Sequence, residues 1–219
     1  MVNYIQIDST LSDTSIAEFN KLKNNIFLML KNQESMKSIL IVSSHYNEGS
    51  SSVARNLSRV IAEESHQKVL MVDLRFDVAL SKHSKVRHPG LSDYILNDYP
   101  LESVMMQTNI QNLFLLSPGR AECNPLSIIT SPKFSELMDE VKKKTSCIII
   151  DAPPVQYCPE STVLASKVDK VILIVQAEKT KREVALDTKR KLEAVHANIL
   201  GIVFNKKKHY IPHSIYKLF

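Results

Sequence analysis

Hydrophobic positions along this chain fall into two rhythms. Short unbroken apolar runs recur at Ile39 to Val42, Val69 to Val72, Leu113 to Leu116, Cys147 to Ile150, Val171 to Val175 and Ile199 to Phe204. Runs of that length with no polar alternation predict strands buried on both faces. Between them the spacing lengthens to that of helices. From a plausible N-cap at Asp13 or Thr14, Ile16, Phe19, Leu22, Ile26 and Leu30 recur on one face, and later Val53, Leu57 and Ile61 do the same. Two more helices are predicted, from Pro132 to Lys144, where proline suits the first turn, and over 181–196. Pro89-Gly90 and Pro118-Gly119 mark turns, and Gly90-Leu91-Ser92-Asp93-Tyr94 opens a short helix. Five or more apolar strands alternating with helices predict an α/β fold, a mainly parallel sheet with helices on both faces. There are no internal repeats and no low-complexity segments.

Parallel sheets of this kind place ligands at the carboxyl ends of their strands, and the polar residues there carry the candidate chemistry. The run Ile39 to Val42 leads into a turn centred on Glu48-Gly49, followed by Ser50, Ser51, Ser52 and an amphipathic helix. Strand, glycine turn, hydroxyls and helix are the layout of a P-loop, in which backbone N–H groups and a helix N-terminus cradle phosphate. That makes the fold a three-layer P-loop NTPase fold and Glu48, Gly49, Ser50, Ser51 and Ser52 candidate nucleotide-binding residues. Ser50 stands where a P-loop carries its lysine, and Ser51 holds the place of the Mg²⁺-ligating hydroxyl. Asp73 and Asp151 each end a strand and are candidates for the metal and the catalytic role, since Mg²⁺ prefers hard oxygen ligands. Asn205 closes the last strand. A hydrogen bond to a charged group contributes about 1.5–3 kcal/mol, so loss of the lysine weakens nucleotide binding by roughly ten- to a hundred-fold. Transition-state stabilisation suffers more than binding. Arg75 is a candidate stand-in if its side chain turns toward the phosphates.

Composition changes this picture only at the margins. The 219 residues fit one α/β domain, with 44% apolar and 23% charged residues. No apolar run approaches the ~18 residues of a membrane span, and the N-terminus lacks a signal-peptide pattern. Three cysteines without metal or redox spacing fit a reducing cytosol, and seven histidines also lack ligand spacing. The net charge of +5 sits largely in Lys142-Lys143-Lys144 and Lys206-Lys207-Lys208, which read either as solvated element ends or as attraction to an anionic surface. No aromatic interleaving accompanies the charge, so nucleic acid is not expected as a partner.

At this point the chain resembles the bacterial tyrosine kinases, P-loop proteins that act with membrane chain-length regulators in capsule and exopolysaccharide synthesis. The likeness runs from Ile16 to Asn205. It rests on Val69-Leu70-Met71-Val72-Asp73, on Gly90-Leu91-Ser92-Asp93-Tyr94, on Cys147 to Val155 (CIIIDAPPV), on Leu164-Ala165, on Val168-Asp169 and on Ile199 to Asn205. The resemblance implies ATP or ADP and Mg²⁺ as cofactors, Ser51, Asp73 and Asp151 as metal and catalytic positions, and Asn205 as the residue that reads adenine. It also implies a homo-oligomer and a polysaccharide co-polymerase as partner. The chain departs from the family pattern at Ser50, at Asp73-Leu74-Arg75, where one aspartate of a D-x-D motif is lost, and at Glu160, where the family has Asp. Ala17, Asn20 and Lys23 replace an oligomerisation signature. Residues 1–13 read as an irregular or weakly paired arm, 14–205 as the kinase-like domain and 206–219 as a basic and apolar tail. The tail carries Tyr210 and Tyr216 as candidate phosphoacceptors and an apolar stub suited to docking on a membrane surface or a partner. The expectation is therefore a degenerate kinase-like regulator, cytoplasmic and peripheral at the inner face of the bacterial membrane. The alternatives are an active ATP-dependent autokinase and, behind it, a positioning or partition-type ATPase.

Overall fold

The structure, a computed structural model, describes residues 5, 7, 11–30, 37–65, 67–76, 88–120 and 124–207. The apolar runs become strands β1 (Ser38–Ser43), β2 (Val69–Asp73), β4 (Leu113–Leu116), β5 (Cys147–Asp151), β6 (Lys170–Gln176) and β7 (Ile199–Asn205). With β3 (Met105–Gln107) they form one seven-stranded sheet in the order β3-β4-β2-β5-β1-β6-β7. All neighbouring strands pair in parallel except β3 and β4, which are antiparallel.

The helices are α1 (Asp13–Leu30), α2 (Ser50–Ser65), α3 (Leu91–Asn97), α4 (Leu101–Val104), α5 (Pro125–Thr130), α6 (Pro132–Lys144), α7 (Pro159–Ala165) and α8 (Arg182–Ala194). The sheet divides the core into two, as strand periodicity requires. On one face Leu40, Val42, Leu70, Ile148, Ile150 and Leu173 pack with Phe134, Leu137 and Val141 of α6. On the other, Ile39, Ile41, Met71, Ile149 and Ile174 pack with Val53, Leu57 and Ile61 of α2 and Ile26 of α1. Each fully buried Leu or Ile contributes about 1.5–3 kcal/mol by its removal from water. Two buried faces are why the central strands read as continuous apolar runs; the edge strand β7 departs from that expectation, with Ile202 and Phe204 exposed. The three-layer α/β P-loop fold is therefore as expected.

Three short helices and one strand left no periodic signal. Helices α4, α5 and α7 span four, six and seven residues, at most two turns. Strand β3 has three residues, none fully buried, so Leu113–Leu116 is the fourth strand and not the third. Pro132 does occupy the first turn of α6, behind Ser131, whose hydroxyl accepts from the Phe134 N–H at 3.1 Å. In the 1–13 stretch, Ile5 bridges to Thr108 and Ile7 is buried, its N–H donating to Asn109 Oδ1 at 2.8 Å. Among the described residues no helix is long and apolar enough to cross a membrane.

Candidate phosphate-binding site

The carboxyl ends of β1, β2, β5 and β7 lie on one edge of the sheet, and the loops that follow build the site. After β1 the chain turns through residues with positive φ, Asn47 at 65° and Gly49 at 95°, before α2 begins at Ser50. Left-handed backbone is costly for most residues and favours Gly and Asn. That conformation delivers the chain to the helix N-terminus, where unpaired N–H groups favour an anion.

Glu48 fixes the loop from inside. Its carboxylate is buried and accepts from the Ser44 N–H at 2.7 Å, from the His45 N–H at 3.0 Å and from the Thr180 hydroxyl. Thr180 in turn accepts from the Gln176 N–H at the end of β6. Asn205, at the end of β7, donates from Nδ2 to the Glu48 carbonyl at 2.9 Å, and Lys206 Nζ donates to the Asn47 carbonyl at 2.6 Å. Ser50 is buried, with its hydroxyl 3.5 Å from Ser43 Oγ. A serine there has neither the charge nor the reach of a P-loop lysine.

Asp73 and Asp151 meet because their strands are neighbours in register, Asp73 opposite Asp151. Asp73 is partly open, whereas Asp151 is wholly buried. Arg75 lies between them. Its backbone N–H donates to Asp73 Oδ1 at 2.9 Å, and Nε and Nη2 each stand 3.4 Å from an Asp73 oxygen. Nε is also 3.0 Å from Asp151 Oδ2. That approach is a charge contact, since neither Asp151 oxygen receives a hydrogen bond of good geometry. Burial, and then the neighbouring Asp73 charge, push the Asp151 carboxyl up to about 7, against the pull of Arg75, the nearby Ser51 hydroxyl and Arg55.

The predicted residues Glu48 to Ser52, Asp73, Arg75, Asp151 and Asn205 thus gather at one edge. Glu48 and Asn205 are engaged with the loop itself, and Arg75 turns to the two acids. Tyr210 and Tyr216 lie outside the described residues. Sequence reasoning missed Thr180 and Lys206, which anchor the loop. Both follow strand ends, the position that had already singled out Asp73 and Asp151. The Gly90 to Tyr94 segment is a clamp on the turn after β4. Asp93 is buried and accepts from the Gly90 and Arg120 N–H groups, both at 2.9 Å. A Cβ on Gly90 would lie 2.3 Å from the Ser117 carbonyl.

A hydroxyl and two carboxylates are hard-oxygen donors suited to Mg²⁺. Among the described residues no third His, Cys, Asp or Glu joins them. The guanidinium already bridges the carboxylates, so a divalent ion does not fit this arrangement as it stands. The start of α2 keeps a helix N-terminus, which favours an anion.

No protein-family model matches the chain. It is 26% identical over 204 residues to the tyrosine-protein kinase CpsD of Streptococcus agalactiae, covering 91% of this chain and 88% of that one. It is 28% identical over 193 residues to the tyrosine-protein kinase YwqD of Bacillus subtilis, covering 87% and 81%. The kinase domain of the Escherichia coli tyrosine kinase ETK superposes with a TM-score of 0.80 at 19% identity, over 92% of this chain and 81% of that one. The fold also recurs in the septum site-determining protein MinD of Pyrococcus horikoshii, solved with Mg-ADP, with a TM-score of 0.61 at 23% identity over 83% and 76%.

Proposed function

We propose that this chain, which belongs with the bacterial tyrosine-protein kinases, works in capsule or exopolysaccharide synthesis or export as a degenerate member, by contact with a membrane chain-length regulator. The observation that carries this reading is Ser50. Its short buried hydroxyl, close to Ser43 Oγ, takes the place from which a lysine would reach the phosphates. The loop backbone still favours phosphate, so ADP or ATP binds weakly while phosphoryl transfer, which depends on charge placed around the transferring group, is lost. The protein then contributes a surface, peripheral at the inner face of the membrane.

Polysaccharide production in the native host tests this. A strain carrying only the Asp151→Asn variant should make as much polymer as wild type, and a strain lacking the chain should not. Loss of polymer in the Asp151→Asn strain, with the protein present at normal level, would overturn the reading. The retained Asp73–Asp151 pair favours one other reading, an active autokinase. Phosphotyrosine at Tyr210 or Tyr216 after incubation of purified protein with Mg-ATP would establish it.

A further inference from the structure

The most unusual feature of the site is the side chain between its two acids. Asp73 and Asp151 end adjacent strands in register, and neighbouring strands are about 4.8 Å apart. Two carboxylates held so close repel each other, and one of them, Asp151, has no contact with water. A buried carboxylate needs a counter-charge or a proton. In metal-assisted phosphate sites a divalent ion supplies that charge. Here Arg75 supplies it, with Nε 3.0 Å from Asp151 Oδ2 and 3.4 Å from Asp73 Oδ1, and Nη2 3.4 Å from Asp73 Oδ2.

The backbone around Arg75 enforces this placement. The Leu74 N–H donates to the Asp151 carbonyl at 2.9 Å and the Phe76 N–H to the Leu74 carbonyl at 3.0 Å. Leu74 and Phe76, on either side, are both buried in the core. With its neighbours pinned inward and its own N–H bound to Asp73 Oδ1, Arg75 sits on a turn that aims it across both carboxylates. The side chain is mostly sheltered, 26% exposed, so solvent screens the pair little. Guanidinium is also the cation best suited to this place, being planar, always charged and weakly hydrated.

We propose that Arg75 is a tethered cation that occupies the divalent-metal position between Asp73 and Asp151 and closes it to metal. Any phosphate-bearing ligand of the adjacent loop then binds without a divalent ion. This goes beyond the functional reading and does not depend on it, because the test uses metal alone.

The experiment is a Mn²⁺ titration of the full chain, followed by the electron paramagnetic resonance signal of free Mn²⁺, for wild type, Asp151→Asn, Arg75→Ser, Arg75→Gln and Arg75→Ser/Asp151→Asn. Wild type and Asp151→Asn should take up Mn²⁺ identically, through surface sites only. Arg75→Ser should gain one site at least tenfold tighter, and the added Asp151→Asn change should remove it. Arg75→Gln, which keeps the bulk of the side chain without its charge, should gain the site too and serves if the serine variant does not fold. An Asp151-dependent Mn²⁺ site in wild type would overturn the proposal. So would a folded Arg75 variant with no gain in Mn²⁺ affinity.

Discussion

Asn205 and Gly49 interlock. Asn205 Nδ2 donates to the Glu48 carbonyl at 2.9 Å, and a Cβ on Gly49 would lie 2.1 Å from that same nitrogen. The last strand of the sheet is thereby latched onto the loop that follows the first. Gly49 also sits at φ 95°, where a side chain is strained even in open space. Gly49→Ala should therefore destabilise the protein by about 2–4 kcal/mol, from backbone strain plus displacement of the amide. Thermal unfolding measures this. Adding Asn205→Ala should relieve the clash and recover part of the loss, leaving the backbone share. Full recovery would mean that strain at residue 49 contributes nothing.

The fold was legible because its cause is written locally. Ile39 to Val42 and Cys147 to Ile150 are apolar at every position, as a strand covered on both faces asks. The carboxyl-end placement of Asp73 and Asp151 followed directly, since each is the first polar residue after such a run. What the sequence could not show is where side chains turn once several strand ends meet. The P-loop layout has Glu48 facing a nucleotide and Arg75 reaching for phosphate, and the family resemblance has Asn205 reading adenine. Their partners are 132 residues away for Glu48 with Thr180, 157 for Asn205 with Glu48, and across the sheet for Arg75 with Asp151. No local pattern encodes such pairings. Strand β3 and helices α4, α5 and α7 escaped for the opposite reason, being too short to complete a period.

Asp151 makes stability depend on pH. Its carboxyl is raised from 3.8 to about 7, burial being the largest cause and the Asp73 charge the next. Folding therefore favours the protonated form. The stability this confers is complete below the unfolded value near 3.8 and is lost as pH rises through about 7. Asp151→Asn keeps the shape without the charge, so at pH 8 it should be more stable than wild type, by up to about 4 kcal/mol. The difference should shrink as pH falls toward 5, where Asp151 itself is neutral. Urea unfolding of both proteins at pH 5, 6.5 and 8 measures the gap. A constant gap, or a less stable variant at pH 8, would show that the Arg75 contact outweighs burial of the charge.

At the opposite edge of the sheet Asp169 ties down the start of β1. Its Oδ2 accepts from the Lys37 N–H at 2.9 Å, the Ser38 N–H at 2.8 Å and the Ser38 hydroxyl at 2.7 Å, and Oδ1 pairs with Lys142 Nζ at 3.0 Å. Burial pushes this carboxyl up, but the bonds from Ser38, Lys142 and Lys37 together outweigh it and hold it below the ordinary Asp value of 3.8. The stability gained is present above that value and is lost as pH falls through the lowered one. Asp169→Ala should cost about 2–4 kcal/mol at pH 7, since it strands two backbone donors and a hydroxyl. The cost should be smaller at pH 3, because the stability this carboxylate confers declines as pH falls toward its lowered value. Denaturant melts at the two pH values give both numbers.

Glu48 decides whether the loop exists as a fixed structure at all. Its carboxylate gathers the Ser44 and His45 N–H groups and the Thr180 hydroxyl into one buried cluster. Glu48→Ala leaves all three donors without this acceptor, and each stranded polar group costs about 1–3 kcal/mol unless water reaches it. Water reaches them by opening the loop, so the main effect should be local. Tyr46, half exposed within the loop, provides the readout, because chymotrypsin cuts after an accessible tyrosine once the backbone is free to enter its cleft. In the Glu48→Ala variant, cleavage after Tyr46 should be at least tenfold faster than in wild type, with a drop in melting temperature. Thr180→Val, which removes one of the three donors and keeps its bulk, should fall between the two. Equal cleavage rates in all three proteins would mean that Asn205 and Lys206 hold the loop without help from Glu48.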